Sequence, residues 1–150
     1  LGAVKFTELS HHRASDYIFD LDKMVALQGD TAPYLQYSCV RIRSIFRKLE
    51  GAQSYGASDI RVGEEAEINR ARVLARFGEV LPVALEGHRP NLLANFLLDL
   101  AKAFHSFFES CPVLKSEGAL KRSRLALCDL TLKVLSSGLE LLGVAVPERM

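Results

Sequence analysis

The longest amphipathic stretch in this sequence lies between two prolines. Leu93, Phe96, Leu97, Leu100, Phe104 and Phe107 recur at i, i+3, i+4, i+7 spacing, which places them on one face of a helix. Pro90 suits the first turn, where its missing N–H costs nothing, and Pro112 ends the run. A helix with so continuous an apolar face must be covered by other elements, and the chain supplies them. From about Ala119 to Leu142 a second stripe runs through Leu125, Cys128, Leu132, Leu135, Leu139 and Leu142, with Gly143 as a C′ cap. Thr31 reads as an N-cap with Pro33 in the first turn, opening a helix to about Leu49. Its stripe is Tyr34, Leu35, Ser38, Cys39, Ile42, Ile45, Phe46 and Leu49. Glu64, Glu65 and Glu67 open a further helix carrying Ile68, Val73, Leu74 and Phe77, where acids favour the helix dipole. They read as a solvated helix start rather than an acid–base pair. Pro82 is expected to open a short helix ending near Gly87. The fold class is mainly α, a bundle of four or five helices.

Two stretches depart from helical spacing. Residues 1 to about 28 read as a short mixed α/β lead: Tyr17 and Phe19 lie on one side of an extended run and Ile18 on the other. Gln28-Gly29-Asp30 is a turn signal, and Gly51 through Gly63, rich in Gly and Ser, reads as a loop. The 150 residues make one compact domain with a short appendage. No apolar run reaches the roughly 18 residues of a membrane span. Leu1 replaces an initiator Met and no signal-peptide layout follows, which fits a chain starting inside a longer one. Pro147-Glu148-Arg149-Met150 suits a natural terminus.

Charge limits the chemistry. The formal net charge is only +1, so a nucleic-acid site here must be a local patch helped by stacking. Such a patch exists in outline. Arg41, Arg43, Arg47 and Lys48 crowd a segment with no acid from 31 to 49, beside Tyr37. They suit a phosphate backbone, or else a solvated helix face. Cys39, Cys111 and Cys128 are odd in number, without a C-x-x-C pair, and read as small buried hydrophobes in a reducing cytosol. His11-His12 sit on opposite sides of an extended segment, which disfavours shared metal ligation. His105, beside Phe104, reads as an edge-of-core or surface residue and His88 as isolated. No phosphate-binding glycine motif, zinc spacing or nucleophile elbow is present.

Two segments say more than periodicity does. The first is Ser15-Asp16-Tyr17-Ile18-Phe19-Asp20, Asp22-Lys23-Met24, Gly29-Asp30-Thr31-Ala32-Pro33-Tyr34-Leu35-Gln36-Tyr37 and Arg41-Ile42-Arg43-Ser44-Ile45. The second is Ser123-Arg124-Leu125-Ala126-Leu127-Cys128, Gly138-Leu139, Leu141-Leu142-Gly143 and Val146-Pro147-Glu148-Arg149-Met150. Together they resemble the arginyl-tRNA synthetases, in order and nearly end to end. A looser third segment, Leu100 to Phe108 with Val113-Leu114, lies between them. Three departures stand out: Asp30 where Asn is usual, Ser38-Cys39 for a small Ala-rich pair, and Phe108 for a Tyr, which removes a hydroxyl.

That resemblance implies the carboxy-terminal, DALR-type anticodon-binding domain of a class I synthetase. Residues 1–28 would be the tail end of the catalytic or stem-contact region, and 29–150 the helical anticodon-binding domain. The partner implied is tRNA(Arg), with L-arginine and ATP reaching the enzyme through a catalytic domain absent here; no DNA and no membrane are implied. The family's ATP motifs lie upstream, so ATP and Mg belong to the full-length cytoplasmic ligase, and this chain alone is expected to hold no cofactor and to be inactive. By position, Tyr34, Tyr37, Phe108 and Met150 would meet the anticodon loop, with the basic run Arg41, Arg43, Arg47 and Lys48 beside them and Arg149 and Arg124 weaker candidates of the same type. No catalytic and no metal residue is implied. The competing readings are a freestanding helical protein–protein module and, within the synthetases, the cysteinyl family.

Overall fold

A computed structural model describes residues 1–49 and 54–150. Its axis is the proline-bounded helix, α6 (Pro90–Ser110), against which α1 (Gly2–Ser10), α3 (Ala32–Arg47), α4 (Glu65–Ala75), α5 (Phe77–Glu86) and α7 (Gly118–Leu141) all pack. The sequence explains this central place. Beside the expected stripe, Ala94, Leu98, Ala101 and Ala103 are also buried, so α6 is apolar around most of its circumference. Each fully buried Leu or Phe contributes about 1.5–3 kcal/mol relative to exposure. At the crossing with α7 the fit is tight: a Cβ on Gly138 would lie 2.5 Å from Leu97 Cδ2, so only glycine lets the two helices meet there without displacing Leu97. Cys39, Cys111 and Cys128 are all buried. Burial pushes the Cys39 thiol up to about 11.

The bundle expectation holds, while several local ones change. No strand is present among the described residues. The lead is helix α1, with Phe6 fully buried, then residues 16–20 without regular secondary structure, then the single turn α2 (Leu21–Met24). This run has no neighbouring strand to pair with; instead Asp20 caps α2 by accepting from Lys23 N at 3.1 Å. Tyr17 folds back to donate to Glu8, and its ring stacks on His11. Pro82 does not open α5 but sits inside it, because α5 begins directly after α4 with Arg76 as the shared cap residue. Of the expected loop at 51–63, residues 51–53 lie outside the described residues; a short 3-10 turn, Ala57–Asp59, occupies part of the rest.

Thr31 is the N-cap of α3 as expected: its Oγ1 accepts from Tyr34 N at 3.2 Å and donates to Ala26 O at 2.6 Å. At the other end of the chain α7 closes in a Schellman motif. Gly143, at φ +67°, donates to Glu140 O, and Val144 donates to Leu139 O, both at 2.8 Å. This turn sends the last residues back across the bundle instead of into solvent.

One expectation fails outright. Glu67 is not part of a solvated helix start: it is 1% exposed and accepts from Arg124 Nε at 2.7 Å, Gly63 N at 2.9 Å and Glu64 N at 3.1 Å. Arg124 is also buried, and its Nη1 donates to Pro112 O at 3.1 Å and Ser116 Oγ at 2.9 Å. The pair ties the start of α4 to the loop between α6 and α7. Burial alone would raise the Glu67 carboxyl, but the Gly63 N–H, the Arg124 guanidinium and the Glu64 N–H outweigh it and hold it below the ordinary carboxylate range. Arg70 is a second inward-facing cation. It is fully buried, its guanidinium carbon 3.9 Å from the centre of the Phe107 ring; none of its three nitrogens makes a well-formed hydrogen bond among the described residues, and the Cys128 thiol beside it is only a weak acceptor.

Candidate nucleic-acid interface

Helix α3 carries three lengthwise faces, because successive residues turn by about 100°. The first is the buried stripe Leu35, Cys39, Ile42 and Ile45, facing the core. The second holds Gln36, Arg43 and Arg47, spaced i, i+7, i+11. The third holds Tyr34, Tyr37, Arg41, Ser44 and Lys48. The cations that look like one run in the sequence are therefore divided between two faces with different occupants.

The second face holds the chain's own tail. Gln36 Nε2 donates to Ala145 O at 2.6 Å, Arg43 Nη1 to Pro147 O at 2.6 Å and Arg47 Nη1 to Glu148 O at 3.2 Å. Lys5 Nζ holds the turn itself through Gly143 O at 2.8 Å. The tail thus runs along α3 toward its carboxy end and delivers Arg149 and Met150, both exposed, beyond Glu148. Arg43 and Arg47 have partners inside the chain, and the ion pair of Arg43 with the exposed Glu148 at 3.7 Å adds little.

The third face is open and continues onto α6. Tyr37 is 39% exposed. The Arg41 guanidinium lies 4.0 Å from the centre of the Phe108 ring and 6.0 Å from that of Tyr37. Phe108 is half-buried, packed against Phe104 on its own helix, and seats Arg41 with its ring face. Tyr34 is also half-buried; its ring stacks on His105 at 5.1 Å, so one of its faces is already covered. Lys48 is exposed at the end of the stripe.

His105 joins the two helices. Arg41 Nη1 lies 3.2 Å from His105 Nδ1, and arginine can only donate, so Nδ1 accepts and the ring proton sits on Nε2. Nε2 faces Ser38 Oγ at 3.4 Å, and Ser38 Oγ donates to Tyr34 O at 2.9 Å. Burial and then the Arg41 charge lower the pKa of His105, with Glu109 pulling the other way. At neutral pH the imidazole is uncharged and serves as an acceptor that aims Arg41 across Phe108.

Of the residues named from the sequence, Tyr34, Tyr37, Arg41, Lys48 and Phe108 share this open face, Arg43 and Arg47 line the tail, and Arg149 and Met150 end it. Arg124 belongs to the buried pair with Glu67 and faces inward. His105 and Ser38 were missed as site residues, since only the meeting of α3 with α6 brings them to Arg41. The face carries aromatic rings and cations, with no carboxylate on the α3 stripe, and its one hydroxyl–imidazole contact, Ser38 with His105, has the ring proton on the Nε2 that faces Ser38. Rings and cations side by side suit a flat, anionic ligand.

Fold and face together define a class: a helical module around one central helix, with an open face built from aromatic and basic side chains. Residues 35–150 match the model of the DALR anticodon binding domain, and the chain belongs to that family. It is similar over its whole length to the arginine–tRNA ligases of Chromobacterium violaceum, at 48% identity, and Rippkaea orientalis, at 47%, covering 26% of each. It also superimposes over 99% of its length on the arginyl-tRNA synthetases of Thermus thermophilus, at 30% identity, and Plasmodium falciparum, at 31%, each with a TM-score of 0.90 and 26% of that chain covered. The chain thus spans about a quarter of the length of these relatives.

Proposed function

We propose that this chain is the part of an arginine–tRNA ligase that binds the anticodon loop of tRNA(Arg), in support of cytoplasmic translation. The observation that carries the reading is the open α3–α6 face: Tyr37 is exposed beside the fixed Arg41, in a member of a family defined by anticodon binding. An anticodon loop offers unstacked bases and a dense phosphate backbone. Exposed rings stack on the former and cations meet the latter. In this reading Tyr37 takes a base on its free face, Arg41 and Lys48 meet phosphate or base edges, and Met150 packs its apolar side chain against a base with the Arg149 cation beside it. Arg43 and Arg47 act at one remove by holding the tail in place, and Tyr34 and Phe108 act by fixing His105 and Arg41. Arginine activation with ATP and Mg would belong to the rest of the ligase, and this chain alone is expected to show no arginine-dependent ATP–pyrophosphate exchange.

The test is Tyr37→Ala. Loss of one base stack costs about 1–3 kcal/mol, a weakening of about 5- to 150-fold in Kd for tRNA(Arg). The melting temperature should hardly change, because the ring is exposed. A sharp fall in melting temperature with unchanged affinity of the folded protein would make Tyr37 a structural residue and defeat the reading.

A further inference from the structure

A groove of about 350 Å³ opens where the carboxy-terminal half of α3 meets the loop between α6 and α7. Arg41, Ser44 and Lys48 form one wall, Phe108 the inner end, and Leu114 and Lys115 the other wall. Three cations line it and, among the described residues, no carboxylate does. Lys48 and Lys115 are exposed, and neither makes an ion pair with any described residue. Ile45 and Val113 give it an apolar floor.

The loop wall is not loose. Cys111 and Val113 are buried, at 1% and 4% exposed, and pin the segment into the core. Ser116 Oγ donates to Pro112 O, and Arg124 donates to both residues from the buried pair with Glu67. Lys115 is therefore held at the rim by a fixed backbone, so only its side chain has to be ordered when it meets a ligand. The groove also continues the open face, sharing Arg41 and Phe108 with it. Its volume lies at the small end of the range for ligand pockets, about 300–1,000 Å³, which fits one nucleotide and no duplex.

We infer that this groove is a second subsite on the same surface, taking one further unpaired nucleotide of the RNA loop, with its base or ribose on the apolar floor and its phosphate between Lys48 and Lys115. The inference rests on the RNA-binding reading above and extends it to the α6–α7 loop, which sequence spacing did not single out.

The experiment measures Kd of the 150-residue chain for tRNA(Arg) across a salt series, with Lys115→Gln, Lys48→Gln, the double variant and Lys133→Gln on α7 as control. Removing one phosphate contact flattens the log–log salt slope by about 0.7 for single-stranded RNA. The single variants should each flatten it by about 0.7 and the double by about 1.4, with unchanged melting temperatures and no change for Lys133→Gln. If the wild-type chain binds and Tyr37→Ala weakens it, but Lys115→Gln leaves slope and affinity unchanged, the subsite is overturned while the broader reading stands. If the wild-type chain does not bind tRNA(Arg), the broader reading falls and the subsite with it. If Lys133→Gln flattens the slope as much as Lys115→Gln, the cations act through general charge and the subsite is overturned.

Discussion

Replacing Glu67 by Gln should cost more stability than any single change on the open face. The carboxylate accepts from Arg124, Gly63 and Glu64 while almost wholly buried. The amide keeps the shape but loses the charge, and its NH2 group faces donors. Arg124 is then a buried cation left with two neutral acceptors, Pro112 O and Ser116 Oγ. Removing one partner of a buried pair costs about 3–5 kcal/mol. For a chain of this size each kcal/mol shifts Tm by about 2–4 °C, so the fall should be about 6–20 °C by circular dichroism at pH 7. The pH dependence follows from the lowered pKa of Glu67. A depressed carboxylate contributes its stability in full above its unfolded value, about 4.3, and loses it as pH falls through the still lower folded value. The gap between wild type and Glu67→Gln should therefore be constant from pH 7 to 5 and narrow below about pH 4. The double change Glu67→Leu with Arg124→Met should recover most of the loss, since an apolar pair of similar volume avoids both desolvation costs. A Glu67→Gln variant within about 1 kcal/mol of wild type at pH 7, well below the 3–5 kcal/mol expected, would refute the claim that this pair locks the α6–α7 loop.

Arg70 should behave in the opposite way. Its guanidinium is buried with no well-formed hydrogen bond among the described residues, meeting only the weak Cys128 thiol and the Phe104 and Phe107 rings, so Arg70→Met should stabilise by about 1–3 kcal/mol. That is about 2–12 °C in Tm, and a lower Tm would show that its stacking on Phe107 outweighs the buried charge. Arg43→Gln should loosen the tail rather than weaken phosphate binding. Amide order parameters measured by NMR relaxation should fall at Val146 and Glu148, while the salt slope for tRNA(Arg) changes by less than the roughly 0.7 expected of a phosphate contact. A full change of about 0.7 would return Arg43 to the RNA-facing set.

The bundle was legible because the α6 and α7 stripes repeat at helical spacing over many residues and are bounded by Pro90, Pro112 and Gly143. Thr31 and Pro33 marked the start of α3 for the same local reason. The lead misled because alternation at Tyr17, Ile18 and Phe19 signals a strand only if another strand is there to pair with. Glu67 misled because a helix-start acid looks alike whether it meets water or an arginine 57 positions away. The site was half legible. Tyr37 and Arg41 stood out as an aromatic beside cations. The split between Arg41 with Lys48 and Arg43 with Arg47 depends on where the tail lies, which is set by the Schellman turn at Gly143 and three long-range hydrogen bonds. His105 was unreadable as a site residue, since its partners Arg41 and Ser38 are 64 and 67 positions away.

The central claim is that this surface binds an anticodon loop, and the most direct measurement compares two RNAs on the unmodified chain. One is tRNA(Arg); the other is the same tRNA with its anticodon bases replaced and its stem sequences kept. Both present the same duplexes and the same charge, so any difference belongs to the bases of the loop. Each mismatched stack or edge contact is worth about 1–3 kcal/mol, so the account predicts that the altered tRNA binds at least about fivefold more weakly. It also predicts that Tyr37→Ala reduces that difference. Equal affinity for the two RNAs, with Tyr37→Ala binding both as the wild type does, would contradict the account.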